Sequence, residues 1–66
     1  MTVPPYVGQR VRSHWGFFDG TELLVVRVSG HGEQAYVTVE VPLEDLDGHV
    51  VETMTMTYRA GDLDAA

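Results

Sequence analysis

Residues 36–59 read YVTVEVPLEDLDGHVVETMTMTYR, two alternating runs on either side of Asp47-Gly48. Asp-Gly between alternating apolar residues is the strongest short-range signal for a β-hairpin. A two-residue loop pairs Leu46 with His49 and so fixes every pair behind it. Val41 then meets Met54, Val39 meets Met56 and Val37 meets Tyr58, an apolar face throughout. On the other face Glu40 meets Thr55, Thr38 meets Thr57 and Tyr36 meets Arg59, all suited to water. Turn chemistry, period and face agree with one another, as they do in a sequence that specifies one structure.

Toward the N-terminus a second Asp-Gly, Asp19-Gly20, and the turn Ser29-Gly30-His31-Gly32-Glu33 divide the chain further, leaving four runs near residues 6–18, 21–29, 34–46 and 49–59. Setting Val28 opposite Ala35 carries the apolar face into the second run, with Val26 against Val37 and Leu24 against Val39. Leu23 and Val25 leave the opposite face of that run apolar too, so cover is expected on both sides. The first run has two readings. A strict Asp19-Gly20 hairpin pairs Trp15 with Leu24 and Val11 with Val28, but sets Arg12 beside Arg27. The alternative is a shorter strand from Val7 to Ser13, then an excursion through His14-Trp15-Gly16-Phe17-Phe18 that rejoins the sheet at Thr21. The expectation is a single all-β domain over residues 1–66, a four-stranded antiparallel meander with 1–5 and 64–66 frayed.

Sixty-six residues build one core and bury only about 60% of the unfolded surface. The chain has no cysteine, which rules out disulfides and thiolate metal sites, so a homodimer is one remaining means of support. The longest aliphatic run, Leu23 to Val26, is far short of the roughly 18 apolar residues of a membrane span. The opening Met-Thr-Val-Pro-Pro lacks the basic and apolar regions of a signal peptide, and a cytoplasmic location without membrane contact is expected. The net charge is -6, with no lysine and only Arg10, Arg12, Arg27 and Arg59 as cations. Phosphate backbones are bound by clustered cations, so direct nucleic-acid binding is disfavoured.

With the strands placed, the layout resembles the SH3-like small β-barrels, a group that includes the KOW, Tudor and CAP-Gly type domains. The matching residues are Val7-Gly8-Gln9-Arg10-Val11 at the start, the excursion after it, and Thr57-Tyr58-Arg59-Ala60-Gly61-Asp62-Leu63 at the end. The resemblance implies that the sheet curls into a small barrel and that a short turn after the last long strand carries Leu63 into the core. It implies no site. A fifth, closing strand must come from residues 2–6 or from the tail. The rival architecture is an open sheet that dimerises as a sandwich.

The residues that carry function fall in two groups. Trp15, Phe17 and Phe18 lie between glycines in the excursion, and large rings anchor interfaces. Glu44, Asp45 and Asp47 make an acidic hairpin tip suited to the rim of a partner surface, with spacing too short and irregular for a calcium loop. His14, His31 and His49 sit near three different turns and match no metal motif. Ser13 and His14 are strand neighbours and point to opposite faces, and neither a phosphate loop nor a dinucleotide fingerprint is present. No catalytic set, cofactor or metal site is therefore assigned. The expected function is a non-enzymatic protein-binding module or small accessory subunit whose partner is another protein. The alternatives are an acidic nucleic-acid mimic that inhibits a DNA- or RNA-binding protein, and a small-ligand carrier whose pocket is lined by Met54, Met56 and Trp15. Finally, residues 53–58 hold no charge and no proline, an invitation to strand pairing if they form an open edge.

Overall fold

A computed structural model describes residues 4–14 and 20–66, and its backbone is organised around the alternation in residues 36–44. Among the described residues five strands form one antiparallel sheet: β1 Arg10–Ser13, β2 Glu22–Ser29, β3 Tyr36–Glu44, β4 Val50–Arg59 and β5 Leu63–Ala65, in the order β4-β3-β2-β1-β5. Two 3-10 turns, Gly32–Gln34 and Ala60–Asp62, precede β3 and β5. The fold is all-β and antiparallel, with a fifth strand supplied by the tail that was expected to fray. β4 and β5 stand at opposite ends of the order and no described ladder joins them. The expected closure into a barrel is thus corrected to the open-sheet form.

The β3/β4 register is the expected one, from Tyr36↔Arg59 through Val39↔Met56 to Leu43↔Glu52. It is reached by another route. The loop has three residues, and a bulge at Val51 restores the pairing, so that Glu44 meets Val50. On the solvent face the Thr38 and Thr57 hydroxyls lie 3.2 Å apart, and the Arg59 guanidinium stacks 5.3 Å from the Tyr36 ring centroid.

For β2 the expected register is corrected. Val28 pairs with Val37 and Val25 with Val39, and Val26 is the extra residue of a bulge between them. The 3-10 turn takes Gly32–Gln34, and Ala35 bonds back to Gly32, so Ala35 belongs to the turn and not to the ladder with β2. Because a shift by one residue exchanges the two faces of a strand, the bulge brings Leu23 and Val25 into the core in place of Leu24 and Val26. Val28, on the other side of the bulge, also packs against the core.

β1 follows the short-strand reading. Val11 pairs with Leu23 and Arg12 with Glu22, which corrects the strict Asp19-Gly20 hairpin with its Trp15/Leu24 pair. Charge explains the choice: Arg10 and Arg12 each approach Glu22 to 4.0 Å, and Arg27 lies across from Thr38. Upstream, Gly8 (φ +94°) lets Gln9 bond back to Tyr6 while Gly8 N–H and Gln9 C=O both bond Val25, extending the pairing beyond β1. On its other side β1 holds β5, with Ser13 opposite Leu63 and Val11 opposite Ala65.

The core comprises Val11, Leu23, Val25, Ala35, Val37, Val39, Val41, Tyr58, Ala60 and Leu63. Leu63 is fully buried, in the place that the resemblance implied for it. Among the described residues no helix is long and apolar enough to cross a membrane. Leu63→Ala is expected to cost about 2–4 kcal/mol in chemical denaturation, because it opens a cavity and loosens β5, whereas Val51→Ala on the exposed hairpin should stay within about 0.5 kcal/mol.

Candidate functional site

The tip of the β3/β4 hairpin is built by Asp45. Its Oδ1 accepts the backbone N–H groups of Asp47 at 2.9 Å and His49 at 3.0 Å. Its C=O accepts from Gly48 at 3.1 Å, and its own N–H donates to His49 at 2.9 Å. Gly48 has φ +82°, the left-handed position that closes a three-residue loop after a tight turn. An aspartate at the head of a turn bonding the backbone two residues on is the reason such sequences turn here.

This loop gathers Glu44, Asp45 and Asp47 at one exposed end, as expected. Ligand atoms of Asp45, Asp47 and His49 all lie within 4.8 Å of one another, and all three residues are open to water. The backbone bonds of Asp45 account for that arrangement. Of the other histidines, His14 pairs with Asp64 across the β1/β5 ladder at 2.5 Å, and His31 stands exposed before the first 3-10 turn. Trp15, Phe17 and Phe18 lie outside the described residues.

The same hairpin exposes apolar residues, of which the sequence reading gave only Met54 a binding role. Leu46 is fully exposed, Val50 and Val51 are 57% and 65% exposed, and Met54 is 39% exposed. The molecule measures 38 × 19 × 16 Å, and residues 50–55 of β4 are exposed on both faces of the strand. A signal was present in the Val50-Val51 doublet, which breaks the alternation and cannot place both side chains on one face without a bulge. Isolated exposed apolar residues are ordinary, whereas several together beside charge mark an interaction surface.

If Asp45 is the organiser of the tip, Asp45→Asn should keep stability within about 0.5 kcal/mol, since an amide oxygen accepts the same bonds, and Asp45→Ala should lose about 1 kcal/mol; thermal and urea denaturation of the two variants check this. No family model matches the chain, and no curated protein or solved structure matches it either.

Proposed function

We propose that the chain is a non-enzymatic protein-binding module or small accessory subunit of the cytoplasm, with the β3/β4 hairpin as its contact surface. The observation that carries this reading is that one hairpin exposes Leu46, Val50, Val51 and Met54 together with Glu44, Asp45 and Asp47. An apolar centre with a charged rim is the anatomy of a protein interface. The Trp15, Phe17 and Phe18 segment serves in this proposal as a second anchor. The affinity with SH3-like small barrels remains part of the proposal, supported by the β4-β3-β2-β1-β5 order and by the 3-10 turn before a short last strand.

The test compares partner capture by the wild-type chain with that by Leu46→Ser/Val51→Ser, Trp15→Ala and Phe18→Ala, each checked for folding by circular dichroism. Loss of at least about tenfold in affinity, roughly 1.4 kcal/mol, is expected for the hairpin double variant and for at least one aromatic variant. Folded variants that keep every partner at full affinity contradict the proposal. Binding that falls steeply with salt and ignores these substitutions points instead to a nucleic-acid mimic.

A further inference from the structure

We infer that the outer edge of β4 takes up an extended, basic segment of another protein as a sixth strand; this rests on the protein-binding reading above and specifies how the partner is held. The phase of the ladder decides which groups are on offer. Ala60 donates its N–H to the C=O of Ala35 at 2.9 Å, in the register that continues from Tyr36↔Arg59. Hydrogen-bonded pairs alternate along an antiparallel ladder, so Tyr58, Met56 and Met54 turn their N–H and C=O toward β3. Thr57, Thr55 and Thr53 turn theirs the other way, where β4 ends the sheet and no described strand meets it. Residues 53–58 contain no charge, glycine or proline, and the bulge at Val51 lies beyond them. The segment thus lacks the devices by which strand edges are blunted.

Charge selects the occupant. Between Arg27 and Arg59 the chain carries Glu33, Glu40, Glu44, Asp45, Asp47 and Glu52, and neither arginine nor lysine. Glu40 lies across from Thr55 on the threonine face, Glu52 lies on the Met54 face of β4, and Glu44, Asp45 and Asp47 end the hairpin. A second copy pairing β4 antiparallel with β4 turns the two tips to opposite ends and offers each acidic end only Arg59 of the other, a cation already held by Tyr36 and Gln34. A strand that sets arginine or lysine over the threonine face meets Glu40 there and the Glu44, Asp45 and Asp47 tip at its end, while its apolar residues cover Met54 and Met56.

The probe is a blocked peptide of four Arg-Val repeats, titrated into the full chain with a Glu-Val peptide as control, and amide hydrogen exchange is followed by NMR. With the basic peptide, exchange at Thr53, Thr55 and Thr57 is expected to slow by at least about tenfold while Met54 and Met56 stay unchanged; the acidic peptide should do nothing. Thr55→Pro removes an N–H that points away from β3, so it should fold and weaken binding by about tenfold or more. Should that variant not fold, the exchange pattern of the unmodified chain decides alone. If the basic peptide perturbs only residues 44–49 and leaves the threonine amides as they were, strand addition is overturned and the hairpin remains a binding surface. No response anywhere on the hairpin overturns strand addition, and the capture experiment above then decides the protein-binding reading by itself. A free chain that sediments as a dimer with the three amides already protected assigns the edge to a second copy and overturns the basic occupant.

Discussion

Val37, Val39 and Val41 must leave water together on one side of β3, and each strand beside β3 is adjusted to that requirement. Since strand side chains alternate, a slip of one residue turns a buried set outward. On one flank β4 has a three-residue loop that would slip the pairing, and the bulge at Val51 takes the slip back. On the other flank the bulge at Val26 lets β2 place Val28 at one end and Leu23 and Val25 at the other against the same core. A strand apolar on both faces tolerates such a switch, because the displaced Leu24 and Val26 remain half-buried.

From this spine the surface follows. The core occupies the part of the sheet where β1 and β5 are present, and Leu63 closes it beneath the second 3-10 turn. β3 and β4 run past that region, and among the described residues no element covers the far half of their hairpin, where Leu46, Val50, Val51 and Met54 are exposed. Three of the four arginines have partners outside the hairpin tip: Arg10 and Arg12 face Glu22, and Arg59 is held by Tyr36 and Gln34. The result is a projecting arm, apolar and acidic, with an open edge.

Much of this was legible in the residues. The alternation of 36–43 against 52–59 gave those β3/β4 pairs residue by residue, and the like-charge clash of Arg12 with Arg27 already spoke against a strict first hairpin. What escaped was everything that depends on a bulge. Nothing local says that Val26 rather than Leu24 is skipped in a run of four aliphatic residues; the choice is made by where β1 and β3 need their partners. β5 escaped for a similar reason. Leu63, Asp64 and Ala65 carry no strand pattern of their own, and their pairing exists because β1 presents a free edge and Leu63 is drawn inward. The carboxylates at the hairpin end were legible as neighbours, but Leu46, Val50 and Val51 were assigned no part in binding, since exposure is set by how far the hairpin outruns the core.

The adjustment at Val26 is the point on which this account stands. Val25 directs its N–H and C=O to Gln9 and Gly8, and Val39 faces β4 with its own, so these two residues form a close pair without mutual hydrogen bonds, with Cα atoms about 4.5 Å apart. A two-dimensional NOE spectrum of the full chain should therefore show a strong contact between the Hα protons of Val25 and Val39. A contact from the Hα of Val39 to that of Leu24 or Val26 instead would mean that β2 carries no such bulge, and would contradict the account.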